Sequence, residues 1–443
     1  MIDQPLNAKI WAIAWPAILA NISIPLLGLV DAALLGHLDS ATHLAAVAIG
    51  GAVLSFLYWG FGFLRMGTTG EVARAVGAKD DEGALLALGR AAVLAVVIAA
   101  LLLVFQQPLV SAGLLIMGPE EQIGLIADRY THIRLASAPA VLLTYCAVGW
   151  FIGHQNTRWP LRIVVITNLL NIALDAWFIV GLGMASEGAA LATVIAEYVG
   201  VVVAGTAVYL QVRAQLKPGL WRAFGKLGEY AAMLKSNLHL FLRTLTLLFA
   251  FAFFTAMGEN FGASVLSANA ILIQLLMFSA YALDGFAYAA EGLSGEALGA
   301  RNLELFSAVY RRCAVWTLGT ALLISLLLGL SPPLLFPMLT SLPEVLSAMF
   351  GQTIWLALMP LAAAGSYLYD GIFIGAGKTR AMLINMVVSA FGVYLPLWYL
   401  TQGWDNSGLW FAFVAFHVSR SVGMGLYFRG FNRRQSWLSG PLT

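Results

Sequence analysis

Twelve apolar runs, each of about 20 residues or more, fill most of the chain and leave only short polar segments between them. They fall near 10–35, 44–68, 84–106, 130–152, 160–181 and 187–210. After a polar stretch they resume near 236–258, 266–290, 306–329, 351–374, 382–401 and 407–428. In hydrocarbon such a run satisfies its backbone hydrogen bonds only as a helix. The pattern predicts an all-α membrane protein with twelve transmembrane helices. Charged residues make up 10% of the chain, against roughly a quarter in soluble domains. That is too little charge to keep a body of this size in water. The net charge is +2 and no basic tract stands apart from the loops, so no nucleic-acid partner is expected. Cys146 and Cys313 lie far apart in or beside apolar runs and read as packed thiols, and no metal-ligand spacing occurs. Pro16, Pro25 and Asp31 interrupt the first run, which is expected to be a retained span rather than a cleaved signal.

Basic residues set an orientation. They collect in the even-numbered loops: Arg74 and Lys79, Arg158 and Arg162, the central stretch, Arg301, and Lys378 with Arg380. Arg429, Arg433 and Arg434 continue the pattern after the last run, whereas the odd-numbered loops carry none, Arg129 at the entry to span 4 being the nearest. Both termini and the even-numbered loops are therefore expected on the cytoplasmic side of the membrane. The chain also repeats itself at one constant offset. "LAAVAIG" from Leu44 pairs with "LSANAIL" from Leu266, and "AVGAKD" from Ala75 with "ALGARN" from Ala297. At the same offset "FIGHQNTR" from Phe151 matches "FIGAGKTR" from Phe373 at five of eight positions. The expected organisation is two pseudo-symmetric six-helix lobes, 1–212 and 236–443, joined by a cytoplasmic linker, 213–235, that holds Arg213, Lys217, Arg222, Lys226 and Lys235. Six spans separate the copies, so both lobes insert the same way up, as in transporters whose two halves rock around a shared substrate.

Charge at membrane depth is costly, so each intramembrane carboxylate asks for a partner or a function. Asp31 lies five residues before the first odd loop. Asn168, Asn171 and Asp175 recur at spacings of three and four in the fifth run and share one helical face. Thr193 lies at matching depth in the sixth. At 1.5 Å per residue Asp31, Asp175 and Thr193 sit about 8–9 Å inside the same boundary. The repeat supplies a control, because the offset that carries Leu44 to Leu266 carries Asp31, Asn171 and Asp175 to Phe253, Val393 and Leu397. The fold does not demand these polar groups in the second copy, so they serve something peculiar to the first.

At these residues the chain resembles a multidrug and toxic compound extrusion (MATE) transporter of the DinF-like subfamily. The resemblance runs end to end. Its most specific pieces are "PLLGLVDAALLGHLDS" from Pro25, "FLRMGTTG" from Phe63, "NIALDAWFIVGLGM" from Asn171, "GAALATVIAEY" from Gly188 and "YALDGFAYAAEGLSGEALGAR" from Tyr281. It implies cation-coupled export of amphipathic, often cationic compounds, with no cofactor and no enzymatic step. Asp31 matches the first-span aspartate thought to bind the coupling ion, and Asn171, Asp175 and Thr193 match polar residues grouped with it. Pro16 matches a proline at which the first helix bends in some members, and Pro25 is taken with it as a possible hinge. Other branches place a sodium-binding glutamate in span 7, where this chain has no interior acid, Glu259 lying past the end.

Burial penalises ionised carboxylates, and two set together penalise each other, so such a pair favours holding a proton that it can exchange. The coupling ion is expected to be the proton, with sodium at Asp31 and Asp175 as the alternative. A second polar face runs along span 8 through Tyr281, Asp284, Tyr288 and Glu291, and Asp370 follows Tyr367 and Tyr369 in span 10. Acids flanked by aromatics suit a lipophilic cation, so Asp284, Tyr281, Tyr288, Asp370 and Tyr367 are the expected substrate contacts. Arg65 and Arg243 are expected to be held in buried ion pairs. "GAGKT" from Gly375 lacks the glycine that a phosphate loop needs where Ile372 stands, and no nucleophile–base pattern marks an intramembrane enzyme. A lipid flippase of the same superfamily is the other reading, disfavoured by the intramembrane excess of acids. The partners expected are membrane lipid and small molecules, with the chain acting as a monomer.

Overall fold

The computed structural model describes residues 3–37, 40–213 and 227–438. Lys217, Arg222 and Lys226 of the expected linker lie outside the described residues. The described residues contain helices and no strand. Spans 1 to 3 are Asp3–Gly36, Ala41–Gly77 and Asp81–Val104. Span 4 is a broken pair, Glu121–Leu135 and Ala138–Gly153, bent by 50°. Spans 5 and 6 are Arg158–Gly181 and Ala185–Val212. Spans 7 to 12 are Leu227–Glu259, Ala263–Gly299, Leu303–Leu330, Thr353–Gly375, Thr379–Leu400 and Asp405–Arg433. Among the described residues eleven helices are long and apolar enough to cross a membrane, and the bent pair makes twelve. Span 1 runs as unbroken helix through both Pro16 and Pro25. Val93, Val97, Leu101 and Val104 lie exposed along span 3, as side chains facing lipid rather than water would.

The repeat is written into the backbone as well as the sequence. Positive φ angles recur at the repeat offset: at Lys79 (58°) and Arg301 (53°), at Gln155 (58°) and Gly377 (67°), and at Gly183 (69°) and Asp405 (51°). A left-handed residue other than glycine is strained, so its return at matching positions marks the same loop geometry built twice. The helix caps repeat too. Asp80 Oδ1 accepts from the Gly83 amide at 2.8 Å ahead of span 3, and Asn302 Oδ1 accepts from the Leu305 amide at 2.9 Å ahead of span 9.

The chain divides into two compact units: Leu19–Val72 with Asp80–Ala231, and Met1–Ile18 with Ala73–Lys79 and Ala232–Thr443. In the first, span 4 packs against spans 2, 3, 5 and 6. Small residues let the helices close up: Ala84, Ala87, Ala91, Ala95 and Ala99 form a buried stripe on span 3, and a Cβ on Gly50 of span 2 would collide with Tyr130 and Thr131 of span 4. In the second unit span 10 holds the same central place, packed against spans 8, 9 and 12. Its core is aromatic, with Phe254, Tyr394, Trp410, Phe413 and Phe416 buried together.

The second unit also contains a reciprocal crossing. A Cβ on Gly77 would overlap the Glu296 carbonyl oxygen, and a Cβ on Gly299 would overlap the Arg74 carbonyl oxygen, each pair related by the repeat. Arg74 Nη1 donates to the Gly375 carbonyl at 2.9 Å beside it. Gly77→Ala and Gly299→Ala should each destabilise the protein by about 1–3 kcal/mol through overpacking. Gly51→Ala and Gly205→Ala, where a Cβ meets nothing within 4 Å, should change stability by no more than about 1 kcal/mol, and in the favourable direction. Thermal unfolding in detergent distinguishes the two sets.

Candidate functional site

Asp31 and Asp175 meet inside the first unit. Their carboxyl groups are within hydrogen-bonding reach of each other, and Asp175 is fully buried. Asn171, one turn earlier on span 5 and also fully buried, donates from Nδ2 to Thr193 Oγ1 on span 6 at a long 3.4 Å. Thr193 Oγ1 in turn donates to the Ala189 carbonyl at 2.9 Å. Asp31, Asn171, Asp175 and Thr193, grouped in the sequence by depth and by helical face, are thus neighbours in space. Asn168 does a different job, donating from Nδ2 to the Ser23 carbonyl at 3.1 Å and so tying span 5 to span 1.

The acids lack donors. Asp31 Oδ1, both carboxyl oxygens of Asp175 and Asn171 Oδ1 are buried and accept no hydrogen bond among the described residues. Native proteins satisfy nearly all buried polar atoms, and an orphan often marks an absent water or ion. Four acceptors in one buried cluster call for a donor or a cation: a proton, a small cation or a water would each answer them. Directly after Asp175 the helix passes into a π-turn, Ala176–Gly181, a deviation that recurs at functional positions and that no side-chain periodicity announces.

Two charged residues that the sequence reading did not single out complete the cluster. Arg134 Nη1 donates to Glu197 Oε2 at 3.0 Å, with side chains 14% and 20% exposed. Glu197 stands one turn from Thr193 on span 6. The Arg134 guanidinium is close enough to act electrostatically on Asp31 and Asp175, with the Tyr130 hydroxyl against it and Tyr58 nearby. Its position comes from the break in span 4. Pro139 has no amide hydrogen to continue the helix, and the backbone around the break is answered by hydroxyls: Ser137 Oγ donates to the Arg134 carbonyl at 2.7 Å and Tyr198 Oη to the Ala136 carbonyl at 3.0 Å. The available signal was a charge inside an expected span, since both residues fall within the fourth and sixth runs.

The repeat control now extends to the whole cluster. In the second copy the positions matching Asp31, Arg134, Asp175 and Glu197 hold Phe253, Leu356, Leu397 and Ser419. Leu356 is part of the buried core, and Phe253 packs edge-on against Tyr394 and Trp398. One backbone supports a polar cluster in one copy and an aromatic core in the other.

The second unit has its own charges in other places. Asp370 on span 10 accepts from Arg243 of span 7 and, at 3.2 Å, from Arg420 of span 12. Arg420 Nη1 also lies 3.3 Å from His417 Nδ1. Arg243 is thus held in a buried ion pair, as its position suggested, and the charge of Asp370 is compensated by two guanidiniums rather than left open to a cationic ligand. Asp284 is an electrostatic neighbour of Tyr281, Tyr367 and Arg420, and Tyr288 is half-buried farther along span 8. A cavity with room for about one or two waters (≈ 30 Å³) is lined by Phe251, Leu283, Pro360, Tyr367, Phe413 and His417. Among the described residues no three His, Cys, Asp or Glu side chains converge as metal ligands.

A twelve-span duplicated bundle with a buried acceptor cluster in one copy defines a membrane transporter. The sequence matches the MatE family over residues 16–177 and 240–400, and the chain belongs to that family of multi-pass membrane transporters, which are not enzymes. It is 38% identical to "DNA damage-inducible protein F" of Escherichia coli (strain K12) over 443 aligned residues, covering 98% of this chain and 94% of that one. Identity is 25% to "Probable multidrug resistance protein NorM" of Thermotoga maritima, over 96% of this chain and 92% of the relative. The fold is that of the Vibrio cholerae MATE transporter VcmN in its bent form, with a TM-score of 0.86, 24% identity and 98% of each chain covered.

The two kinds of acid should respond oppositely to neutralisation. Asp370→Asn strips the compensating charge from two buried arginines and should cost about 3–5 kcal/mol. Asp31→Asn removes a carboxylate that has no donor and should leave stability unchanged or raise it. Thermal unfolding of the purified variants reads both signs.

Proposed function

We propose that this chain is an exporter of amphipathic, often cationic compounds, driven by protons returning through the Asp31–Asp175 pair. The supporting observation is the pair itself: two neighbouring carboxyl groups beside an unsatisfied buried amide oxygen, with Asp31 Oδ1 and both Asp175 oxygens buried and without a donor among the described residues. A single proton between them supplies the missing donor and removes half the charge. Loss of that proton leaves two like charges that repel inside a low-dielectric site. The two states therefore differ in packing force on span 1, and alternation between them drives a carrier when each face of the membrane favours one state. Asn171 and Thr193 offer both donor and acceptor capacity, so they serve either state.

One proton moving down 100 mV contributes about 2.3 kcal/mol, and each pH unit adds about 1.4 kcal/mol. That sustains a gradient of roughly a hundredfold or more for a neutral substrate. On this reading the protein lies in a bacterial inner membrane with both termini cytoplasmic, works as a monomer, and takes its substrates from water or lipid. Asp284, with Tyr281, Tyr288 and Tyr367, is the proposed contact for a substrate cation, because an acid flanked by aromatics suits a lipophilic cation. Sodium is the competing ion, because four unsatisfied oxygens also suit a hard cation.

Ethidium efflux from proteoliposomes under separately imposed gradients decides the matter. A proton gradient should drive transport by the wild type, a sodium gradient should not, and Asp31→Asn should lose gradient-driven transport by at least tenfold. Transport by Asp31→Asn at the wild-type rate would remove the pair from the coupling mechanism, and dependence on sodium alone would reassign the ion.

A further inference from the structure

We propose that Arg134 is a tethered counter-cation for the carboxyl pair, held by Glu197 while the pair is occupied and shared with Asp31 and Asp175 when the coupling ion leaves. The inference rests on the proposed role of the pair and adds a residue that sets how tightly the pair holds its ion.

Three observations carry it. First, the cluster is mismatched as it stands. Arg134 Nε is a buried donor with no acceptor, while Asp31 Oδ1 and both Asp175 oxygens are buried acceptors with no donor among the described residues. Unused donors and acceptors within one buried cluster describe a network with a second arrangement available to it. Secondly, the ion pair is not required by the fold, because Leu356 and Ser419 stand at the matching places in the repeat. A buried ion pair gives little net stability compared with apolar packing, so a structural role alone is a weak reason for it here. Thirdly, Arg134 lies in the last turn of the first segment of span 4, beside the 50° break. The bend gives the guanidinium a place where a modest rotation changes its partner.

The charged and titratable groups around Arg134 are Glu197 from span 6, Asp31 from span 1, Asp175 from span 5, Tyr58 from span 2 and Tyr130 from span 4 itself. Glu197 keeps the guanidinium from neutralising the pair permanently. Without Glu197 the arginine is free to bind the two carboxylates and displace the proton. Without Arg134 the glutamate adds a third negative charge, and the pair keeps its proton longer. The two removals therefore push in opposite directions, whereas an ion pair too remote to act on the carboxyls would leave the midpoint where it is in both variants.

The test follows the carboxylic-acid stretch by infrared difference spectroscopy as pH is varied, on the full chain in proteoliposomes. Asp31→Asn and Asp175→Asn assign the band. Relative to wild type, the midpoint should move to lower pH in Glu197→Gln and to higher pH in Arg134→Gln, each by about one unit or more. Arg134→Lys, which keeps the charge, should lie near wild type. Midpoints that stay put in both variants, or move the same way, overturn the inference while leaving the carboxyl pair in place. A band untouched by Asp31→Asn and Asp175→Asn overturns the reading of the pair and this inference with it. If Arg134→Gln does not fold, Glu197→Gln decides alone: a shift to lower pH supports the tethered cation, and any other result refutes it.

Discussion

Hydrocarbon cannot solvate charge, and that constraint organises the whole molecule. It forces the backbone into helices and turns Leu and Val side chains outward. It also requires each buried ionic group to be answered by another part of the protein. Most are: Asp370 has two guanidiniums, and Arg134 has Glu197. Asp31 and Asp175 are the exception, facing each other as two acids with no donor among the described residues. That arrangement fits the proposed role, in which something positive comes and goes.

Duplication makes this legible as function. Both copies share caps, left-handed loop residues and a central helix, span 4 in one and span 10 in the other. Each central helix carries a largely buried ion-paired residue, Arg134 or Asp370, but the networks are not copies. Where the first copy has Asp31, Arg134 and Asp175, the second has Phe253, Leu356 and Leu397. Where the second has Arg243, Asp370 and Arg420, the first has Asn21, Val148 and Tyr198. The two copies share a backbone plan and differ in the polar groups placed on it.

Much of this is legible in the sequence. Run length located the spans to within a few residues at most ends, because about 20 apolar residues have one stable form in lipid. Depth counting brought Asp31, Asn171, Asp175 and Thr193 together, because rise per residue is fixed in a helix. Facing directions are not fixed by depth, so Asn168, on the same face as Asn171 by spacing, bonds instead to the span 1 backbone. Arg134 escaped notice because it sits near the end of the run, where a snorkelling arginine is ordinary. The break at Pro139 that buries it depends on Ser137 and Tyr198 hydroxyls arriving from separate places, which periodicity cannot reveal. Nor does the sequence mark where span 1 passes from one compact unit to the other, between Ile18 and Leu19, just past Pro16.

On the proposed reading, the central event is the exchange of one proton, held at the Asp31–Asp175 pair, for one bound substrate. Proton release on ethidium binding, followed with a pH indicator in weakly buffered detergent solution, measures that exchange without any membrane gradient. The wild type should release about one proton per ethidium bound, and Asp31→Asn should bind with no release. Ethidium binding to the wild type without proton release at any pH would contradict the exchange.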